Sequence, residues 1–245
     1  MSLYQAAAAM NAQARWQEVI TENLASGAVP GFRKQDVSFS ALSAGTLPLG
    51  GMSAAQVVVP EAITSVNVQQ GALRPTGNKL DFGLEGAGFF EVQLPGGEAA
   101  YTRDGEFKLN AQGQLVTKQG YLVQGESGPF QFDLNNPNPI TVSATGEVSQ
   151  GEDLKGKLRL AEFNDPKLLT SVGGGLFLPG DPNLQPKPTT TTQVRQGYLE
   201  GSNMSPTIEM ASLLTSMRMF EANQKIIHSQ DERMGRVISE LGGPN

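Results

Sequence analysis

The sequence predicts an α+β protein in which long N- and C-terminal helices pair as a coiled-coil module around a β-rich middle domain, an antiparallel sandwich or barrel. Three observations support this prediction. Apolar residues recur at helical spacing at both ends of the chain, and they alternate with a period of two in several segments between them. The 29 glycines and 15 prolines, with only 17% charged residues, are typical of a turn-rich β protein.

The N-terminal helix is predicted over residues 3–26, which are rich in alanine and contain neither glycine nor proline. Its apolar seam, spaced mostly by three and four residues, comprises Leu3, Ala7, Met10, Ala14 and Leu24. Gly27 follows the helix and Pro30 lies just beyond it, which is the usual order of signals at a helix end. Pro30 and Gly31 fit the central positions of a type II turn, so we expect Gly31 at positive φ.

The C-terminal helix is predicted to begin at Pro206, because Ser205 can cap it and Glu209 lies near its positive end. Steps of three and four give a long seam with two polar interruptions: Met210, Leu213, Met217, Phe220, Gln224, Ile227, Asp231, Met234, Ile238 and Leu241. The N-terminal helix is the predicted partner within the chain. An ordinary intramolecular helix pair explains the same seam without any role in assembly.

Between the helices, short alternating segments are separated by turn residues about every ten positions. Examples are Phe90, Val92 and Leu94 before a Pro-Gly-Gly turn. This spacing favours an antiparallel sandwich or barrel. We therefore predict a discontinuous helical assembly module with linkers, residues 1–68 and 193–245, and a β-rich middle domain over residues 69–192.

Composition and motifs argue against several classes of function. Without cysteine there is no thiolate metal ligand or nucleophile, and the net charge of −6 disfavours nucleic acid as a partner. The single histidine, His228, is expected on a polar helix face, and neither a catalytic triad nor a zinc motif can be built around it. We expect no catalytic residue, no cofactor, no metal and no small-molecule substrate. Neither a cleavable signal nor a membrane span is apparent.

Three separated groups of residues resemble the bacterial flagellar axial proteins of rod and hook. Near the N-terminus they are NLAS (23–26) and VPGFR (29–33), with Ser26 where the family usually has Asn. The middle group, QGALRPTGNKLD (70–81), GAGFF (86–90) and YTRDG (101–105), is similar to the rod subgroup. The C-terminal group is GYLEGSN (197–203), then Glu209-Met210 and FEANQK (220–225), with Phe220 where Tyr is commoner.

The resemblance implies a structural subunit of the basal-body rod rather than an enzyme. Such a subunit polymerises through its terminal helices into a hollow shaft that transmits torque. The implied partners are copies of itself, other rod and hook axial proteins and the flagellar type III export apparatus. The implied location is the periplasm-spanning rod, reached without a cleaved signal peptide. The resemblance does not separate proximal from distal rod types.

The seams and the resemblance together predict which residues act in assembly. The predicted interface consists of Leu3, Met10, Leu24, Met210, Leu213, Met217, Phe220, Ile227, Met234, Ile238 and Leu241. The predicted turn motif consists of Asn23, Pro30, Gly31 and Phe32. A secreted β-rich adhesin or binding module with a helical stalk is the alternative function, although the sparse aromatics (7%) disfavour it. A hydrolase lacks a nucleophile and base.

Overall fold

The computed structural model describes residues 3–47, 55–189 and 191–241. Helix α1 spans Leu3–Ser26, helix α2 spans Pro206–Leu241, and a 3₁₀ turn spans Pro166–Leu168. The strands are β1 (Gln35–Leu47), β2 (Ala55–Val66), β3 (Leu73–Pro75), β4 (Phe82–Glu85), β5 (Phe89–Gln93), β6 (Ala99–Thr102), β7 (Phe107–Leu109), β8 (Leu115–Thr117), β9 (Leu122–Gly125), β10 (Gly128–Pro129), β11 (Ile140–Val142), β12 (Glu147–Gln150), β13 (Asp153–Lys157), β14 (Leu160–Glu162), β15 (Leu169–Gly173), β16 (Leu176–Pro179), β17 (Lys187–Pro188), β18 (Gln193–Gln196) and β19 (Tyr198–Glu200).

The chain divides into two compact units. The helical unit contains α1 up to Leu24, most of the paired strands β1 and β2 (36–64), and α2. The β unit contains residues 25–35 and 65–205. Both helices occur at the predicted ends of the chain, and α2 begins at the predicted Pro206. The proposed module boundaries at residues 69 and 193 stay a prediction.

The predicted coiled-coil pairing of the terminal helices is wrong. The buried face of α1 is formed by Ala12, Gln13, Val19, Ile20 and Asn23, whereas Ala14 of the predicted seam is exposed. Polar groups join the helices: Gln13 Nε2 donates to Ser216 Oγ (2.6 Å) and to its carbonyl oxygen (2.9 Å). Interlocking apolar side chains, which define a coiled coil, are replaced here by a small hydroxyl and an amide.

Two further features of the helical unit are inconsistent with a coiled coil along both helices. Helix α1 has 24 residues and α2 has 36, so about 18 Å of α2 extends beyond the length that α1 could cover. The aromatic Trp16 of α1 packs edge-on against Phe39 of β1, with ring centroids 5.8 Å apart. The strand pair of the helical unit, which the sequence did not predict, therefore takes up part of the apolar surface of α1.

In the β unit, the described strands form four antiparallel sheets, so the predicted sandwich or barrel is wrong. The largest sheet has the order β15-β16-β6-β5-β9-β8-β7, with β10 beside β9 and the pair β14-β17 joined to β5. A three-stranded sheet contains β11, β12 and β13, and two small sheets pair β4 with β18 and β3 with β19. Strand β19 thus returns the C-terminal motif to the middle motif that contains β3.

The core of the β unit is divided between two hydrophobic clusters on either side of β5. Phe90 and Val92 belong to the larger cluster, and Phe89 belongs to the smaller one with Tyr101 and Phe163. Every described side chain from Phe89 to Val92 is buried. Successive residues of a strand point to opposite faces, so β5 carries apolar side chains into both clusters.

Candidate functional site: a buried charge cluster and the exposed face of α2

Glu200, the last residue of β19, is an acid buried between two arginines, with 1% of its surface exposed. Its Oε1 lies 2.7 Å from Arg33 Nη2 and accepts a hydrogen bond from the backbone N–H of Gly71 (2.9 Å). Its Oε2 accepts a hydrogen bond from Arg103 Nη1 (3.1 Å). One carboxylate therefore contacts three chain segments that are far apart in sequence.

Both arginines also bind backbone carbonyls. Arg33 Nη1 donates to the carbonyl of Gln69, and Arg103 Nη2 donates to the carbonyl of Gly86. The guanidinium carbon of Arg103 lies 5.0 Å from the centroid of the Phe89 ring, a cation–π contact. Among the described residues, the Nε of Arg103 has no hydrogen-bond partner. The contact of Arg33 Nη2 with Glu200 is an ion pair without hydrogen-bond alignment. We call Arg33, Arg103 and Glu200 the charge cluster.

The charge cluster carries two cations for one anion. Burial lowers the pKa of Arg103 from 12.5 to about 10, and the nearby Glu200 carboxylate opposes this shift. Burial also lowers the pKa of Arg33, again against the attraction of Glu200. A pKa of about 10 still leaves Arg103 charged at neutral pH. Glu200 is therefore the main source of charge compensation for both guanidinium groups, and the carboxylate of Glu162 adds a smaller attraction for Arg103.

The predicted turn motif lies directly beside the charge cluster. The N–H of Phe32 donates to the carbonyl of Val29 (3.2 Å), which closes a turn with Pro30 and Gly31 at its centre. Gly31 has φ +65°, so the positive φ predicted from the sequence is confirmed. The N–H of Gly31 donates to the backbone carbonyl of Glu200 (2.7 Å), which joins the turn to β19.

Asn203, which lies between β19 and α2, makes further hydrogen bonds to the segment that follows α1. Its N–H donates to the carbonyl of Phe32 (3.3 Å), and its Oδ1 accepts from the N–H of Lys34 (2.8 Å). Its Nδ2 donates to the carbonyls of Gln69 (2.9 Å) and Asn67 (3.1 Å). Within the β unit, the segments that lead to the two terminal helices are therefore hydrogen-bonded to each other.

Asn23, the remaining residue of the predicted turn motif, belongs to the helical unit. It is buried, and its Nδ2 donates to Oε2 of Glu209 (3.3 Å) in the first turn of α2. Asn23 therefore joins α1 to α2, whereas Pro30, Gly31 and Phe32 lie in the β unit. The sequence motif thus contributes to two different places in the fold.

The predicted assembly residues of α2 are largely open to solvent in the single chain. Met210, Met217 and Met234 are 57%, 50% and 58% exposed. Leu213, Phe220 and Ile227 are half-buried, as are Met10 and Leu24 of α1. Leu3, Ile238 and Leu241 lie within the helices, but their side chains are outside the described part of the structure. Further exposed apolar residues of α2, which the seam did not include, are Ile208, Leu214, Met219, Ile226 and Val237.

The members of the charge cluster, Arg33, Arg103 and Glu200, were not among the site residues predicted from the sequence. A signal was nevertheless present, because each of its members lies inside one of the three motifs: Arg33 after the Pro-Gly-Phe segment, Arg103 in YTRDG and Glu200 in GYLEGSN. Charged residues within glycine-rich motifs, among strands rich in apolar residues, are candidates for buried ion pairs. Their pairing with one another could not be deduced from one sequence.

The described residues offer neither a cluster of metal ligands nor a membrane-spanning helix. They contain no group of three or more His, Asp or Glu side chains that could hold a metal ion. In the same part of the chain, no helix is both long and apolar enough to cross a membrane. The predicted helix-face position of His228 is confirmed, since its side chain is exposed on α2.

Comparison with known proteins gives matches along nearly the whole chain. Residues 83–150 match the "Flagellar hook protein FlgE/F/G D1 domain" family, and residues 195–240 match the "Flagellar basal body rod FlgEFG protein C-terminal" family. The charge cluster contributes Arg103 to the first match and Glu200 to the second.

Three curated relatives illustrate the similarity over full length. The flagellar basal-body rod protein FlgF of Caulobacter vibrioides is 32% identical over 229 residues, covering 93% of this chain and 92% of that protein. FlgG of the same bacterium is 32% identical, covering 98% of both chains. FlgG of Agrobacterium fabrum is 34% identical, covering 96% of this chain and 97% of its own. The chain belongs to the family of flagellar basal-body rod proteins.

Proposed function

We propose that this protein is a structural subunit of the bacterial flagellar basal-body rod. The observation that carries the proposal is the similarity to curated rod proteins over more than nine-tenths of the chain at 32–34% identity. These relatives are named as rod proteins, and none of the three is named as an adhesin or an enzyme. A structural role requires interfaces between subunits rather than an active site.

We propose that the protein assembles through its terminal helices, which belong to the discontinuous module of residues 1–68 and 193–245. The exposed apolar side chains of α2 support this, since large exposed apolar surfaces mark interaction sites in soluble proteins. Burying the exposed half of a methionine such as Met217 would contribute about 1 kcal/mol, and several such residues line α2. A contact between different surfaces of successive copies generates an open helical array. Such an array would give the hollow, torque-transmitting shaft.

The proposed partners are other copies of this chain and other axial proteins of rod and hook. We further propose a location in the part of the basal body that spans the periplasm. Export would proceed through the flagellar type III apparatus without cleavage of a signal peptide. Family membership supports these proposals. Mass spectrometry of the N-terminus of protein isolated from basal bodies tests the last one, because a missing N-terminal segment would contradict it.

The interface is tested by placing a charge in the predicted seam. We expect Met217→Asp to prevent polymerisation, because the carboxylate would be buried without a partner in the assembled shaft. The single chain should stay folded, since half of Met217 is already exposed. Electron microscopy of concentrated protein shows whether tubes or fibres form, and circular dichroism shows whether the strands persist.

Ser229→Asp provides the matched control. Ser229 is exposed on the same helix and is not part of the predicted seam, so this variant should assemble like the unchanged protein. Regular tubes formed by Met217→Asp would remove this position from the interface. A chain that forms no ordered assembly in any variant, and that does not restore swimming to a rod-deficient strain, would contradict the rod function itself.

A further inference from the structure

The charge cluster forms only when three parts of the β unit that are distant in sequence come into contact. Arg33 follows the turn at residues 29–32, Arg103 follows β6, and Glu200 ends β19. Arg103 and Glu200 are separated by 97 residues of sequence, and Lys34 and Asn203, which are hydrogen-bonded beside them, by 169. Long-range contacts of this kind form late, because the intervening chain must first be ordered.

Removal of Glu200 alone would leave two cations facing each other in the interior. Burial is the main cause of the lowered pKa of Arg103, and the like charge of Arg33, which is held by the same carboxylate, lowers this pKa further. Arg33 and Arg103 are 1% and 2% exposed, so water cannot take over the role of the carboxylate while the site stays closed. Buried charges that lose their partner are strongly destabilising. The site should therefore open locally.

The largest sheet, which contains β5, β6 and β9, is stabilised by backbone hydrogen bonds and apolar packing rather than by the charge cluster. Strands β5, β6 and β9 are joined by backbone ladders, and Phe90, Val92 and Val123 in them are buried in the larger hydrophobic cluster. The strand registers described for these ladders pair residues of β5 with residues of β6 and β9, and they include neither Arg33 nor Glu200. Arg103 adjoins β6 and packs on the Phe89 ring of β5, but the ladders themselves do not use its charge. We therefore expect the ladders to persist when the carboxylate of Glu200 is removed.

We propose that Glu200 acts as a charge-gated clamp, which allows residues 29–34 and 197–203 to become ordered only together. Its carboxylate neutralises Arg33 and Arg103, and its backbone carbonyl holds the N–H of Gly31. With the carboxylate in place, Asn203 binds the backbone of Phe32 and Lys34. The clamp thereby links the order of the segment after α1 to the order of the segment before α2.

The clamp is tested by hydrogen exchange measured by mass spectrometry on the full chain carrying Glu200→Gln. Glutamine keeps the length of the side chain but removes its charge. We expect the amides of residues 31–34 and 201–203 to exchange more than about tenfold faster, because opening of the cluster exposes them. The amides of β5 and β6 should exchange as in the unchanged protein.

A second variant tests whether charge is the cause. Replacing Arg33, Arg103 and Glu200 together by methionine removes all three charges and keeps apolar volume, which is often tolerated at buried ion clusters. We expect this triple variant to recover most of the protection that Glu200→Gln loses. Glu85→Gln is the matched control: it breaks an ion pair with Arg195 (2.9 Å) in which both side chains are about half exposed, and should change nothing at the clamp.

Three results would overturn the clamp. Unchanged exchange at residues 31–34 in Glu200→Gln would show that the carboxylate is not needed for closure. Equal loss of protection in β5 and β6 would show that Glu200 supports the whole unit rather than a separable clamp. A triple methionine variant as poorly protected as Glu200→Gln would show that charge is not what holds the segments together.

Discussion

The backbone of Gly31 lies so close to Arg103 that a β-carbon on residue 31 would be 2.2 Å from the carbonyl carbon of Arg103. Gly31 also has φ +65°. A side chain there therefore meets both backbone strain and a direct clash. We expect Gly31→Ala to destabilise the β unit by more than the 1–2 kcal/mol or so that the left-handed conformation alone costs. Urea unfolding followed by the strand signal of circular dichroism measures the loss.

Gly77→Ala separates the cost of backbone strain from the cost of the steric clash. Gly77 has a similar φ of +75°, but its β-carbon would meet no heavy atom within 4 Å. This variant should lose about 1–2 kcal/mol, the conformational term alone. Equal losses in the two variants would show that the contact between residue 31 and Arg103 relaxes without cost. In Gly31→Val the same clash should also weaken assembly, because the turn beside the charge cluster would be displaced.

The stability of the β unit should depend on pH through Asp104. Burial raises the pKa of this carboxyl from 3.8 to about 6, although the N–H of Glu106 donates to its Oδ1 (2.9 Å). The folded state therefore holds the proton more tightly than the unfolded state. The free energy of unfolding should fall as the pH rises from about 4 to about 6, by about 3 kcal/mol for a shift of this size.

Asp104→Asn tests this dependence, because asparagine keeps an oxygen acceptor for Glu106 and does not ionise. We expect the variant to be more stable than the unchanged protein at pH 7 and to lack the fall between pH 4 and pH 6. Urea titrations at several pH values provide the comparison. The same pH profile in both proteins would mean that Asp104 is not the group responsible.

Gln13 should stabilise the helical unit through its bonds to Ser216. Both side chains are buried, so Gln13→Ala leaves the Ser216 hydroxyl and carbonyl without this donor, at a cost of about 1–3 kcal/mol. Trp16, the single tryptophan, lies in the same unit beside Phe39, so its fluorescence follows the unfolding of this unit. Gln17→Ala, on the more open face of α1, should change the midpoint far less. Equal shifts in both variants would argue against a specific bond.

Dilute protein should be cleaved first within α2. Every described side chain of residues 217–237 is exposed or only half-buried, and an isolated helix gains little stability without packing. Limited proteolysis with identification of fragments by mass spectrometry locates the first cut. In assembled tubes the same bonds should resist, since the helices would then be packed against neighbouring copies. Initial cleavage within β5 or β6 would contradict the expected order.

Local signals in the sequence were sufficient to predict several features of the fold. Pro206 after Ser205 marked the start of α2, and the uninterrupted alanine-rich segment marked α1 from residue 3 to residue 26. Pro30 and Gly31 predicted a turn with positive φ, which the structure contains. These features depend on residues that are close together in the chain, and the conformational preferences of those residues are enough to specify them.

The tertiary structure alone decided which surfaces meet. Ala14 and Met217 had the correct helical spacing for a seam, yet both are exposed, because spacing defines a face without defining what covers it. Likewise, each residue of the charge cluster could be read in the sequence, but the pairing of Arg33 and Arg103 with Glu200 depends on the return of β19 beside β3. Burial and charge compensation arise from contacts between distant segments, and local sequence preferences do not encode the partner of a contact.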